Sequence, residues 1–265
     1  MSRPSLLILS FSPIASDARV LKQVRLFAGE LDVTTCGYGP APEGVVDHVQ
    51  LPDAAEHWRK DPRWLLSRQY RRVYETNAAV RAARAGLAGR RFDVVLADDV
   101  DTVPIALDLA DRVHADLHEY APKQNTELRR WRWFVAPYMR WLCRRFVTRA
   151  DSVTTVGQGI ADEYARVFGF RAEVVTNAAP YAALEPGEMS DGVPLRLVHA
   201  GAALRNRHLE TLVEATVATR TDVTLDLFLV PNDPGYLAEL RALAAGSERV
   251  RLHGALPYAE LVRRL

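Results

Sequence analysis

Two short stretches decide the reading of this chain: Val94-Val95-Leu96-Ala97-Asp98-Asp99-Val100-Asp101, and Ala115-Asp116-Leu117-His118-Glu119-Tyr120. Val94 to Ala97 is an apolar run ended by acids, the pattern of a buried parallel strand emptying into a polar loop. Between the stretches, Thr102 to Arg112 sets Val103, Ile105, Ala106, Leu109 and Ala110 at the spacing of one helix face. Asp101 or Thr102 can cap that helix, and Pro104 falls in its first turn, where a missing N–H costs little. Ala115 to Leu117 is then a second strand, and its carboxyl end delivers His118 and Glu119. Ligands of open α/β sheets bind outside the carboxyl ends of the strands, so polar chemistry collects on this rim.

Upstream, Leu6 to Leu9 reads as the first strand and Phe11 to Ala15 as the loop beyond it. Ser16 or Asp17 can cap a helix carrying Val20, Leu21, Val24 and Phe27 and ended by Gly29. Leu31 to Cys36 is a second strand, Gly37 to Pro40 a turn, and Val45 to Leu51 a third strand. A long helix is predicted from about Arg63 to Ala88, and another from Glu127 to Arg149. Ser152 to Val156 is a strand, Gly159 to Phe168 a helix, and Ala172 to Thr176 a strand ending at Asn177. Strands alternating with helices predict a parallel, doubly wound sheet with right-handed crossovers.

Ala178 to Pro194 then holds three prolines and two glycines without periodicity, a linker composition. Leu195 to Ala200 is a clean strand followed by Gly201, and Arg207 to Thr219 a helix. Val223 to Val230 is a strand, Pro234 to Ala245 a helix, Arg249 to His253 a strand, and Tyr258 opens a last helix. The predicted organisation is a Rossmann-like domain over 1–178, a linker over 179–194, and a second Rossmann-like domain over 195–265. The second has half the usual strands, so it is expected to be incomplete and to expose an apolar face around Leu256, Leu261 and Leu265.

The chain is 48% hydrophobic and 25% charged, an ordinary globular composition. Thirty-four Lys and Arg against 33 Asp and Glu give no pull toward nucleic acid. Cys36 and Cys143 are too few for a disulfide framework and lack metal-ligand spacing, which suits a reducing, cytoplasmic home. Arg3 followed by Leu6 to Leu9 has too short an apolar core for a leader peptide, and no run approaches a membrane span. Charge is uneven, however. Between Trp58 and Arg91 lie ten Lys and Arg against two acids; between Glu127 and Arg149, seven Arg against one acid, interleaved with Trp131, Trp133, Tyr138 and Trp141. Two readings stand: a face for peripheral association with an anionic membrane, or solvated arginines opposite a core stripe through Trp131, Val135, Tyr138 and Leu142.

Several stretches taken together carry a resemblance. They are Ser16-Asp17-Ala18-Arg19-Val20-Leu21, Asp116-Leu117-His118-Glu119, Ala150 to Val156, Val174-Val175-Thr176-Asn177, Gly201 to Arg207, and Val250 to Pro257. In order and spacing they resemble the retaining, nucleotide-sugar-dependent glycosyltransferases of family 4. The resemblance implies a GT-B-like α/β fold of two Rossmann-like domains. It also implies a nucleotide-diphosphate sugar as donor, no metal or other cofactor, and a product formed with retention by same-face attack. The acceptor is left open among envelope, lipid and small molecules.

A departing diphosphate develops negative charge, which arginines and a helix N-terminus can stabilise without metal. Gly201, Arg205 and Arg207 precede such a helix. By resemblance Arg207 matches the family's diphosphate-binding residue and His118 the histidine facing the donor sugar, the expected catalytic residue. Asn177 joins the expected donor-side residues. Ser12, Arg19, Asp98, Asp99 and Glu119 are the expected acceptor-side set. His208 stands where the family usually has glycine, and Ser12-Pro13-Ile14 where many members have a glycine pair. Two rivals remain open. Asp99-Val100-Asp101 is a D-x-D that could hold a divalent cation in a metal-dependent glycosyltransferase. The chain could also be a non-catalytic or truncated relative, inactive by itself.

Overall fold

The computed structural model describes residues 3–179, 181, 183, 185 and 194–264. The chain divides into two compact units, Met1–Tyr181 and Ala182–Leu265. Most of the predicted linker, and Leu265, lie outside the described residues.

The first unit is built on seven parallel strands: β1 (Ser5–Pro13), β2 (Asp32–Tyr38), β3 (Asp47–Leu51), β4 (Val94–Asp98), β5 (Val113–Leu117), β6 (Ser152–Thr155) and β7 (Glu173–Val174). Their order in the sheet is β3-β2-β1-β4-β5-β6-β7, a doubly wound arrangement. The chain first winds outward from β1 to β3 and then returns to place β4 on the other side of β1. Loops leaving β1 and β4 therefore diverge, and a crevice opens at their carboxyl ends. The central strands are apolar on both faces, as helices cover both: Leu6, Leu7, Ile8, Leu9, Val95 and Ala97 are almost wholly buried.

Asp17 caps α1 (Ala18–Phe27) by accepting from the N–H groups of Arg19 and Val20, as its sequence position suggests. β1 runs farther than predicted, through Phe11 to Pro13, and a 3-10 turn over Ile14–Ser16 follows. Gly37 and Tyr38, read as a turn, are the end of β2. Gly37 is there for want of space. A Cβ on it would lie 2.5 Å from the Ile14 side chain and 2.6 Å from the backbone oxygen of Ser10. Ile14 is wholly buried, so neither neighbour can yield. Gly37→Ala is expected to destabilise the unit by about 1–3 kcal/mol, read as a lower urea midpoint. An unchanged midpoint would show that the strand end relaxes freely.

The helix predicted over Arg63 to Ala88 is three helices, α2 (Pro62–Leu66), α3 (Tyr70–Glu75) and α4 (Ala78–Gly86). Their apolar faces are continuous in period, which is why they read as one. Arg68 takes the left-handed backbone, φ 55°, between the first two. Asn77 breaks the run again by capping α4, while its Nδ2 donates to the carbonyls of His57 and Arg59. α5 is Val103–Leu109, shorter than the predicted 102–112. The Glu127 to Arg149 segment is also interrupted. Trp131–Val135 forms a π-helical turn leading into α6 (Ala136–Arg145). Pro137 explains the change of pitch, because it has no N–H to give and its ring crowds the turn before it. α7 (Gln158–Phe168) ends at Gly169 in the left-handed conformation, and the strand predicted over 172–176 shrinks to β7.

The second unit has three parallel strands, β8 (Leu195–Ala202), β9 (Val223–Val230) and β10 (Val250–Gly254), ordered β10-β9-β8. Its helices are α8 (Leu209–Ala218), α9 (Pro234–Ala244) and α10 (Tyr258–Val262). Leu209, Val213, Leu225, Leu227, Leu229, Tyr236 and Leu240 form its core. The apolar side chains it exposes are not those predicted. Leu256 and Leu261 are half-buried, whereas Leu195, Leu197, Leu212, Val217, Val230 and Leu243 are exposed.

Candidate functional site

The crevice at the switch between β1 and β4 is lined by Ser10, Ser12, Asp17, His57, Asp98, Asp99, Asp101, His118 and Glu119, with Phe11 and Met139 as apolar walls. Four sequence candidates, Ser12, Asp98, Asp99 and Glu119, thus meet His118 in one pocket. Arg19 lies behind it and Asn177 apart from it.

His118 is held from three sides. Its Nε2 lies 3.3 Å from Asp98 Oδ1 and 3.6 Å from Asp116 Oδ2, and its Nδ1 lies 3.6 Å from Asp99 Oδ2. Its backbone N–H donates to Asp99 Oδ1 over 3.3 Å. Burial alone would favour the neutral ring. Hydrogen bonding to Asp116 and Asp98 and the charge of Asp99 outweigh it, and push the imidazole up to about 10. At neutral pH His118 is therefore an imidazolium.

Asp116, 4% exposed, anchors this arrangement. Arg19 grips it with both arms of its guanidinium, Nε to Oδ2 at 2.6 Å and Nη2 to Oδ1 at 2.5 Å. Thr154 donates to Oδ1 at 2.7 Å and Gln23 to Oδ2 at 3.0 Å. Desolvation works against its charge, but the bonds from His118, Arg19 and Thr154 prevail and hold it far below the usual carboxylate range. Asp98 differs. It is wholly buried, accepts from Gln23 at 2.9 Å, and its Oδ2 has no partner among the described residues. Desolvation raises it. Asp99 is pushed up to about 6, first by desolvation and then, against the opposing charge of His118, by Asp98. Its side chain is nonetheless 49% exposed on the pocket wall. Asp99 also adopts φ 68°, a left-handed backbone that a non-glycine residue holds only when its surroundings impose it. Here its N–H donates to the carbonyl of Asp116 while Thr102 donates to its own carbonyl.

The D-x-D reading places Asp99 and Asp101 on a common metal, but the side chains are differently engaged: Asp101 faces the buried Lys60 at 3.7 Å. Among the described residues, the group whose ligand atoms converge is instead Asp98, Asp116 and His118, within 4.8 Å of one another. That set suits a cation poorly. Both oxygens of Asp116 already accept, from Arg19, Thr154 and Gln23.

In the second unit the predicted donor-side residues are reorganised. Gly201 lies inside β8, paired with Leu229, rather than after it. Arg205 makes two bonds to Glu239, at 2.8 and 2.6 Å, and sits over the Tyr236 ring. The helix starts at Leu209, not Arg207. Its first N–H groups, from Leu209 and Glu210, donate to the Tyr236 hydroxyl at 2.8 and 3.3 Å. Arg207 is exposed and makes no ion pair with the described residues. His208, at the position usually glycine, does adopt the left-handed backbone, φ 50°. Asn177, in the first unit, accepts from Lys22.

Sequence reasoning passed over Asp116 as a site residue, although it stands in the quoted Asp116-Leu117-His118-Glu119 stretch. It also missed Gln23, Thr154, His57 and the Lys60–Asp101 pair. Arg19 and Gln23 did leave a signal, since four residues apart they lie side by side on α1.

Residues 24–179, more than half of the chain, match the family model for Glycosyltransferase Family 4. No curated protein sequence matches the chain. Among solved structures it is similar to sucrose-phosphate synthase from Thermosynechococcus elongatus, with TM-score 0.64 and 14% identity over 98% of this chain and 72% of that one. It is also similar to the lipopolysaccharide outer core galactosyltransferase WaaB in its apo form, with TM-score 0.57 and 11% identity over 98% of this chain and 70% of that one. The Anabaena protein HepE in complex with UDP-glucose gives TM-score 0.57 and 14% identity over 96% of this chain and 70% of that one. At such identities the likeness is one of fold: a GT-B-like α/β architecture of Rossmann-like parallel sheets.

Proposed function

Because the chain belongs to Glycosyltransferase Family 4, we propose that it transfers a sugar from a nucleotide-diphosphate donor to an acceptor hydroxyl, with retention of configuration. The reacting groups meet in the pocket at the carboxyl ends of β1, β4 and β5. The observation that carries this reading is the placement of His118 at the switch point, its ring nitrogens within 3.3–3.6 Å of Asp98, Asp99 and Asp116.

A doubly protonated ring cannot take a proton, so His118 works as a charged hydrogen-bond donor rather than a general base. Nδ1 is only in charge contact with Asp99, at 3.6 Å, and faces the pocket, so a sugar hydroxyl can serve as its hydrogen-bond acceptor. Asp99 and Glu119, both raised by desolvation, accept hydroxyl hydrogens from a bound polyol. The donor's bond from its anomeric carbon to the diphosphate oxygen breaks as the acceptor oxygen attacks the same face. The acceptor proton passes to the departing diphosphate. No carboxylate need form a covalent intermediate.

The second unit's candidate for binding the donor's diphosphate is Arg207, which pairs with no carboxylate among the described residues. Arg205, bound to Glu239, holds the 205–207 turn in place. No divalent cation takes part in this scheme. Transfer should therefore persist in EDTA, and Arg207→Ala should raise the Kd for UDP-glucose, the first donor to try, about tenfold or more, the loss of one charged hydrogen bond. Activity abolished by EDTA, restored by Mn²⁺ and lost in Asp99→Ala would favour the metal-dependent alternative.

A further inference from the structure

We propose that the face of the first unit formed by α2, the π-helical turn and α6 docks on an anionic lipid surface. Arg68, Arg140, Arg144 and Arg145 surround a groove floored by Tyr70 and Trp141. All four arginines are exposed. None forms an ion pair with a described carboxylate, whereas nearby Arg63, Arg71 and Arg84 are paired with Asp61, Glu75 and Asp108. Four such charges thus gather around one groove. Each costs self-repulsion that a negatively charged partner removes.

Beside this groove lies an apolar one, lined by Pro62, Leu65, Leu66, Phe134, Val135 and the stem of Arg130. Leu66 is 63% exposed, Trp133 67%, Phe134 38% and Leu128 56%. These side chains are not needed by the core. α6 buries a separate stripe of Ala136, Tyr138, Met139, Leu142 and Cys143 inward. The two grooves are joined, because the π-helical turn that carries Phe134 runs directly into the helix that carries Arg140 and Arg144.

The combination selects the partner. Arginines together with tryptophan would also suit a single-stranded nucleic acid, but Leu66 and Leu128 offer no ring on which a base could stack. An anionic bilayer uses every element: lipid phosphates for the arginines, the headgroup boundary for Trp141, and the acyl edge for Leu66 and Phe134. Among the described residues no helix is long and apolar enough to cross a membrane, so this contact lies on the surface.

The test is co-sedimentation of the full chain with phosphatidylcholine vesicles, with or without a third of phosphatidylglycerol, at two salt concentrations. The expected result is binding to the anionic vesicles alone, weakened by salt. Arg140→Ala together with Arg144→Ala should lower the affinity about 30-fold, at the usual gain per arginine near such a surface. Phe134→Ser should weaken binding without changing its salt dependence. Far-UV circular dichroism and the urea midpoint check that each variant is folded, and Arg220→Ala in the second unit serves as the charge control. Equal binding to neutral vesicles, no binding to anionic ones, or binding by the folded double variant as by wild type would overturn the proposal. So would binding to a single-stranded oligonucleotide that depends on the same arginines and survives Phe134→Ser.

Discussion

Replacing His118 with alanine is expected to lower kcat by about 100- to 1,000-fold while leaving the fold of the first unit intact. The range is that of removing one preorganised hydrogen-bond donor from the place where charge develops. His118 sits at the carboxyl end of β5, is 24% exposed, and faces the pocket rather than the core. No apolar packing is therefore lost with the ring. Its removal does leave Asp98, Asp99 and Asp116 without their shared cation. Asp98, already raised by burial, can then take up a proton instead of expanding the site. His118→Gln keeps the volume and one N–H but no charge, and should recover only a small part of the loss. Steady-state kinetics at saturating donor and acceptor, with circular dichroism as the control for folding, decides the matter. A folded His118→Ala protein with wild-type kcat would remove this residue from the chemistry.

The second large effect is on stability. Arg19→Leu should destabilise the first unit by about 2–3 kcal/mol, because it strips a two-armed, charge-assisted contact from a buried carboxylate and leaves His118 as its remaining counter-charge. Asp116 is the residue stranded; at its depth neither water nor Gln23 can replace a two-armed guanidinium. The double variant Arg19→Leu, Asp116→Leu should recover much of the loss, since charge and counter-charge leave together. Urea unfolding of the single and double variants measures both terms. A loss below about 1 kcal/mol for Arg19→Leu would place the pair among exposed ion pairs, contrary to its geometry.

The same cluster sets a pH dependence. The folded state raises His118 above its ordinary value of 6.5 to about 10. The stabilisation this represents is complete below pH 6.5 and is lost as pH rises through 10. Asp116 is shifted the other way, so its contribution is present above the ordinary carboxylate value and is lost on acidification. These are two views of largely one interaction and do not add.

How far the sequence carried the reading differs between the units. In the first, strand identity was plain, because parallel strands buried on both faces leave unbroken apolar runs such as Leu6 to Leu9 and Val94 to Ala97. Helix continuity was not. α2, α3 and α4 keep a common period across Arg68 and Asn77, and the break at Asn77 depends on bonds to His57 and Arg59, about twenty positions away in the chain. A local pattern cannot report such partners. The rim was legible for the same reason as the strands, since acids and a histidine ending two apolar runs must emerge together if those strands are neighbours. β4 and β5 are indeed paired, Asp98 beside Asp116.

What stayed hidden was the far side of the site. Arg19 and Gln23 approach from α1, and nothing in their local sequence says which carboxylates they meet. In the second unit the error was finer. Gly201 and the helix start were displaced by only a few residues, yet that is enough for Tyr236 to occupy the N–H groups expected to be free.

The central claim is that His118 acts as a cation, held charged by Asp98, Asp99 and Asp116, and not as a base. The direct measurement is a pH titration of its ring nitrogens by NMR on protein labelled with ¹⁵N-histidine, with His118→Gln used to assign the signals. Both nitrogens should stay protonated through pH 8 and release a proton only as the pH approaches about 10. A ring that titrates near its ordinary value of about 6.5 would be neutral at working pH, able to accept a proton, and incompatible with the role assigned to it here.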